Sequence, residues 1–387
     1  MRASSGQCAG GARCVISRVA ALVVAVTAFS ASPGPCLTNT SIPCPPPSWS
    51  PTWNLTMSTI VNPGVPDFFE PPPGQPWGLV SLDWQVARTV WGENNSMHAT
   101  VEATSREGCR RIKAASPGTR CFIYHNAELA LQAFESQRVA MFPGAPSYDP
   151  KLFLRWPNGT IYSTGVPNHG PGLGYFWNYT YPPAREFFIS ATLASLNFSG
   201  VDGTFIDDWT GLPAEHKSII SDLNLTAAEV RAFQLATAVV DEELLSALVA
   251  DGQYAWQAFS ALGGGGALGK WGIGGGPNAT TCSAWMRSRC TPDWQGRAVT
   301  QWCDVANFNE SLASFLITRP PIGYFGFGWP SDTTNWRPEF LWDIGEPGGA
   351  CAETAPGVFE RPWTHGTVRL DCNTWTAVVP TAAARGS

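Results

Sequence analysis

The sequence predicts an α/β protein, a (β/α)8 TIM barrel with an N-terminal Pro-rich arm and a small C-terminal β appendage. From Trp77 onward, short apolar runs alternate with longer amphipathic stretches, the texture of repeated βα units. Most of the runs end in polar residues, where a barrel gathers its chemistry. The first run is followed by Asp83-Trp84-Gln85, not by the glycine-rich phosphate turn that a doubly wound sheet would need there. The 387 residues suit one large domain with a leader, and a hydrophobic content of 44% supplies a core.

Residues 1–31 read as a signal peptide: Arg2, Arg13 and Arg18 with no acid, then an apolar run over 19–29 that ends in small residues. That run is shorter than the ~20 residues needed to cross a bilayer, so no stable membrane span is expected. Residues 32–76, rich in Pro, Ser and Thr, predict a linker or extended arm. The barrel is assigned to 77–348.

Its first unit is a strand at 78–82 and a helix at 101–115. The second is a strand at 121–124 and a helix at 127–142. A hairpin follows, 152–156 with 160–163, around the turn-forming Pro157-Asn158-Gly159. The third unit is a strand at 174–177, after which Pro182 and Pro183 open a helix to 196. A fourth strand at 203–206 leads to the longest helix, 226–250, where Thr226 and Glu229 have capping-box spacing. Strands at 253–257, 298–302 and 322–327, a helix at 307–318 and a closing strand near 341–344 complete the barrel. Strands at 368–371 and 376–379 build the appendage within 349–387.

Two residue types speak for the secretory route. Nine of the sixteen asparagines lie in Asn-X-Ser/Thr sites: Asn39, Asn54, Asn94, Asn158, Asn178, Asn197, Asn224, Asn278 and Asn309. Asn178 is the doubtful acceptor, being expected inside the barrel. Nine cysteines remain beyond the leader, and their spacing suggests Cys36 with Cys44, Cys109 with Cys121, and Cys351 with Cys372. Two of Cys282, Cys290 and Cys303 would then be joined. No Cys-X-X-Cys or His-Glu-X-X-His segment supports zinc, so no metal is expected. The net charge of -6 is the wrong sign for neutralising phosphates, which argues against nucleic acid as a partner. Gly264 to Lys270 matches Gly-X-X-X-X-Gly-Lys, but Trp271 stands where Ser or Thr would hold magnesium. With its neighbouring glycines the stretch reads as a loop over the barrel mouth, and no cofactor is implied.

The sharpest motif is Val201-Asp202-Gly203-Thr204-Phe205-Ile206-Asp207-Asp208-Trp209. Strand alternation sends Phe205 and Asp207 to one face and Ile206 and Asp208 to the other, so one carboxylate, assigned as Asp207, faces the barrel axis. A capped loop and a solvated strand end are the plainer account of the same two acids. Other polar strand ends converge on that mouth: Asp83, His125, Asn126, Asn178 and Gln257. Breaking a glycosidic bond takes two carboxyls. Glu128 is the leading second one, with Asp83, Asp343 and Glu346 behind it, although an acid in a first helical turn needs no function. Among the 18 tryptophans, Trp84, Trp177 and Trp209 stand at strand ends, where flat aromatic faces suit sugar rings; filling core volume is the ordinary role of each.

The series Ser81-Leu82-Asp83-Trp84, Ile123-Tyr124-His125-Asn126, Tyr175-Phe176-Trp177-Asn178, Asp202-Gly203-Thr204-Phe205-Ile206-Asp207-Asp208 and Trp342-Asp343-Ile344-Gly345-Glu346-Pro347 resembles the secreted glycoside-hydrolase-like (β/α)8 barrels. These are distantly similar to the endo-α-1,4-polygalactosaminidase and α-galactosidase groups. The resemblance runs from about Trp77 to Val379, and only the Asp-Gly-X-Phe-Ile-Asp-Asp segment in it is specific. It implies a carbohydrate-active barrel with its catalytic carboxylate, here Asp207, at the end of strand four and a sugar-hydroxyl ligand at Asp83. A departure is that Gln257 and Trp302 stand where strands five and six would carry an acid.

The expectation is therefore a secreted glycosidase with a carbohydrate substrate. Asp207 would be nucleophile or base and Glu128 or Asp208 the acid, with sugar contacts from Asp83, Trp84, His125, Asn126, Trp177, Asn178, Trp209 and Gln257. The alternative is a non-catalytic glycan-binding barrel of the cell surface or extracellular matrix. Carboxyl oxygens on two acids about 5 to 10 Å apart across the mouth favour the enzyme; a lone Asp207 facing only amides and aromatics favours the binder.

Overall fold

The computed structural model describes residues 53–63, 68–84, 101–164, 174–208, 217–257, 278–291, 299–303, 307–327 and 336–380. The leader, Cys36, Cys44, Trp209 and the glycine-rich stretch lie outside these residues, as do the side chains of Gln257 and Cys303.

In chain order the strands are β1 (Thr59–Val61), β2 (Leu79–Leu82), β3 (Arg120–Asn126), β4 (Leu129–Leu131), β5 (Ser163–Thr164), β6 (Gly174–Phe176), β7 (Gly203–Asp207), β8 (Tyr254–Gln257), β9 (Val299–Cys303), β10 (Gly323–Phe327), β11 (Ala352–Ala355), β12 (Val358–Trp363), β13 (Gly366–Asp371) and β14 (Thr376–Val378). The helices are α1 (Val101–Ala115), α2 (Glu135–Arg138), α3 (Pro182–Leu196), α4 (Lys217–Asp222), α5 (Ala227–Ala250), α6 (Ala279–Arg289) and α7 (Phe308–Thr318).

Seven strands form one sheet in the order β8-β7-β3-β2-β1-β10-β9, and all its ladders are parallel. This is the cyclic order of a barrel opened between β8 and β9; among the described residues no ladder joins those two. The sheet is curled. Tyr324 on β10 feels the charges of Arg120 on β3 and of Asp202 just before β7. In a flat sheet, with strands about 4.8 Å apart, three or four strand spacings would separate them.

The sequence explains the local choices. Helix α1 buries Val101, Ser105, Gly108, Cys109 and Ile112, the repeat of a helix with one covered face, and the Cys109–Cys121 disulfide ties it to β3. Pro182 opens α3 from its first turn, where no amide donor is missed. Thr226 and Glu229 close the capping box at the start of α5. Gly203 is glycine for room: a Cβ there would lie 2.1 Å from the Tyr254 carbonyl oxygen on β8 and 2.7 Å from the Phe122 ring.

Several expectations give way. The arm at 32–76 contains β1, which pairs with both β2 and β10 inside the sheet. Its three residues are fully covered yet too short to show a period among the prolines. The strand expected third in the barrel, 174–177, instead joins a three-stranded antiparallel sheet, β4-β6-β5, so that β3 pairs directly with β7. The helix expected at 127–142 is reduced to α2. The Asn126 side chain accepts the amide protons of Glu128 and Leu129, which holds the chain extended into β4. The hairpin at 152–163 forms as expected, with Arg155 bridged to Ile161 and Gly159 at φ +88° in the turn. Near 341–344 there is a 3-10 turn, Pro338–Leu341, and no strand.

The C-terminal appendage is a four-stranded antiparallel sheet, β11-β12-β13-β14. Cys372 pairs with Cys282 and Cys351 with Cys290, so neither the Cys351–Cys372 pair nor a bond among Cys282, Cys290 and Cys303 forms. Sequence proximity misled here, because both bonds link α6 to a sheet that begins sixty residues later. Buried Arg361 on β12 adds a polar tie by donating to the Arg319 carbonyl at 2.6 Å.

Candidate active site

The C-terminal ends of β3 and β7 lie side by side, with Tyr124 opposite Phe205 and Asn126 opposite Asp207 in the ladder. Alternation divides β3 sharply. Tyr124 and Asn126 face the acids of β7, whereas His125 points the other way, its ring nitrogens 2.8 Å from Thr204 Oγ1 and 2.8 Å from Ser195 Oγ on α3.

Asp207 and Asp208 share one hydrogen-bonded patch. Tyr124 Oη donates to Asp207 Oδ2 at 3.1 Å, and the backbone N–H of Asp208 donates to Asp207 Oδ1 at 3.0 Å. Asn126 Nδ2 donates to Tyr124 Oη at 3.0 Å and to Asp208 Oδ2 at 2.8 Å. Ideal alternation would have sent Asp208 to the opposite face from Asp207. Its backbone turns left-handed, φ +52°, just where β7 ends, and its carboxylate reaches the same Asn126.

Burial and the adjacent charge of Asp208 push the Asp207 carboxyl up to about 8, with a smaller contribution from Asp83. Its bonds from Tyr124 and from the Asp208 amide work in the opposite direction and lose. Burial and the same three carboxylates raise the Tyr124 phenol well above its usual range, so it keeps its proton. Asp83, at the end of β2 and 3% exposed, is therefore electrostatically part of the site.

The remaining candidates differ in their surroundings. His125 is fully buried, and desolvation holds it down at about 3, which makes it a packing residue between β3 and α3 and no sugar ligand. Trp177 is fully buried among Phe153, Phe187 and Phe188. It is not at the strand ends of the seven-stranded sheet because its segment pairs in the three-stranded one. Asn178 sits on a surface turn, donating to the Lys151 carbonyl and accepting from Thr180, outside the Tyr124–Asn126 patch. Trp84 is buried in the main core. Glu128 is buried at the β3–β4 junction, and its charge is felt by Tyr179, a residue packed on Phe188 and Phe233 of the helix layer. Asp343 and Glu346 belong to the C-terminal sheet, where Asp343 lies 3.6 Å from His365 and the Glu346 amide binds Thr364. The positions of the Trp209 and Gln257 side chains fall outside the described residues.

Tyr124 is the functional residue that reading the sequence passed over. The signal was present: it is two residues before Asn126 on a strand, hence on the same face. Among the described residues no cluster of three or more His, Cys, Asp or Glu side chains forms a metal site.

No family profile matches the chain, and no curated protein matches it. Among solved structures it is similar, distantly, to glycoside hydrolases. One is a debranching enzyme of Nostoc punctiforme, soaked with acarbose: 12% identity over 84% of this chain and 90% of that one, TM-score 0.41. A second is the α-N-acetylgalactosaminidase of Bifidobacterium bifidum, of which the chain spans about half: 14% identity, 79% of this chain, 49% of that one, TM-score 0.37. A third is Aspergillus fumigatus Ega3 in complex with galactosamine: 11% identity, 72% of this chain and 94% of that one, TM-score 0.33. Likeness at this level carries nothing about chemistry, which rests on the side chains above.

Proposed function

We propose that the chain is a secreted, glycosylated glycoside hydrolase that cleaves O-glycosidic bonds of oligo- or polysaccharides at the patch formed by Asp207, Asp208, Tyr124 and Asn126, within a (β/α)8 barrel. The observation that carries this reading is a buried carboxyl that keeps its proton, set beside a second carboxyl in one hydrogen-bonded patch. Asp207 holds its proton to about pH 8, and Asp208 accepts from a neutral amide beside it. Hydrolysis of an acetal needs such a pair, one group to protonate the departing oxygen and one negative charge for the oxocarbenium-like transition state. Asp207 is thus the acid and Asp208 its partner, the reverse of the roles expected from the sequence. As the glycosidic C–O bond breaks, the Asp207 proton goes to the leaving oxygen, and water supplies the hydroxyl at the anomeric carbon and a proton to restore the site. Asp83 fits a ligand for a sugar hydroxyl.

Secretion and glycosylation are supported from outside the site. Six of the seven described Asn-X-Ser/Thr asparagines, at 54, 158, 197, 224, 278 and 309, are exposed, and Asn178 is half-buried. Three disulfides suit an oxidising compartment. No helix of the described residues is long and apolar enough to cross a membrane.

The test is a screen of the secreted protein against α- and β-linked oligosaccharides, read as release of reducing sugar, with Asp207→Asn alongside. Release by wild type and not by the variant is expected. Glycan binding without release would move the reading to a binding barrel.

A further inference from the structure

The hydrogen bonds of the site have a fixed direction, and one residue sets it. Asn126 Oδ1 accepts two backbone N–H groups, from Glu128 at 2.9 Å and Leu129 at 2.8 Å. A flipped amide would turn its NH2 onto those two donors and its oxygen onto the Asp208 carboxylate, so the flip is excluded on both sides. Nδ2 must therefore point at Asp208 Oδ2 and Tyr124 Oη, as it does. Because the Tyr124 oxygen already accepts from Asn126, the phenol has its own proton to give, and Asp207 Oδ2 receives it.

We propose, resting on the reading of the site given above, that Asn126 is its positioning residue. By fixing the direction of the chain, it makes two neighbouring and chemically identical aspartates unlike: Asp207 served by a phenol and a backbone N–H, Asp208 by an amide. The left-handed backbone at Asp208 is the second element of this device. It turns the Asp208 N–H onto Asp207 Oδ1 and the Asp208 carboxylate onto Asn126. Tyr124 acts through the carboxyl of Asp207, and Asn126 acts through both acids.

Among the described residues, the charged and titratable groups that face the pair are Asp83, just after β2, and Tyr124 on β3. The experiment follows the carboxyl carbons themselves, by 13C NMR titration of the full protein labelled at aspartate Cγ, with Asp207→Asn and Asp208→Asn as assignments. In wild type the Asp207 midpoint lies at about 8. Tyr124→Phe keeps the ring and removes one donor to the carboxylate, so the Asp207 midpoint rises by about one pH unit. Asn126→Ala removes the donor to Asp208 and to the Tyr124 oxygen, and moves the Asp208 Cγ resonance at a fixed pH. Either signal staying in place in a variant with native near-UV circular dichroism overturns the proposal. If Asn126→Ala does not fold, Tyr124→Phe decides alone. Both shifts present without turnover on any glycoside would sink the hydrolase reading and leave this one standing; turnover without the shifts would do the reverse.

Discussion

The two ends of β3 and β7 use aspartate in opposite ways. At the N-terminal end, Asp202 lies 2.7 Å from Lys113 Nζ and 3.0 Å from Arg120 Nη1, and accepts the Cys121 amide at 2.8 Å. Its charge meets two cations and a dipole. At the C-terminal end, Asp207 and Asp208 are served by neutral donors and held beside each other. The first arrangement joins α1, β3 and β7 through two ion pairs and a backbone bond; the second stores a proton at the expense of stability. On the proposed reading this is the division between the structural and chemical faces of a barrel, and here it occurs along a single strand pair.

Breaking the upper end should have the largest effect on activity. Asp207→Asn is expected to lower turnover on the order of a thousandfold or more, as loss of an essential acid does, while the thermal midpoint holds or rises. The lower end should respond inversely. Asp202→Ala leaves two cations and a backbone N–H without their acceptor and should cost about 1–3 kcal/mol in denaturant unfolding, with turnover retained by the protein that remains folded.

Stability against pH sharpens the contrast further. Asp207 is raised to about 8 from an ordinary value near 3.8, so the folded state binds more protons than the unfolded chain between those values. Its contribution is complete below about pH 4 and is lost as pH rises to about 8. His125, held down at about 3, has the opposite sign: its contribution is present above about pH 6.5 and is lost as pH falls toward 3. Between roughly pH 6.5 and 8 Asp207 contributes a slope and His125 does not, and Asp207→Asn should make the slope shallower in unfolding measured across that window. The smallest effect belongs to Asp83→Asn. It removes one of three influences that raise the Asp207 midpoint, and should lower that midpoint by a few tenths of a unit in the carboxyl titration.

Much of this was legible in the sequence where a rule is local. The period of α1, the Pro182 start of α3, the Thr226–Glu229 box and the Pro157-Asn158-Gly159 turn need only near neighbours. Asp207 was legible too, as an acid on the strand phase of Phe205. What failed depended on partners far along the chain. β1 is three residues amid prolines and is defined by β2 and β10 on either side. The 174–177 segment reads as a strand in any setting, but its antiparallel pairing with β4 took Trp177 and Asn178 out of the mouth. Asp208 is the instructive miss: its left-handed turn is not announced by a glycine, and it converts an alternating pair into a shared one.

The two cystines between α6 and the C-terminal sheet also govern how the chain can come apart. Cys290–Cys351 closes a loop that contains β9, α7 and β10, and Cys282–Cys372 encloses that loop in a wider one. A protease cut anywhere from 291 to 350 would therefore release nothing: both fragments would travel as one band until a reductant separated them. During synthesis the inner ring cannot shut before residue 351 emerges nor the outer one before residue 372, so β9, α7 and β10 are all made before either bond can commit them.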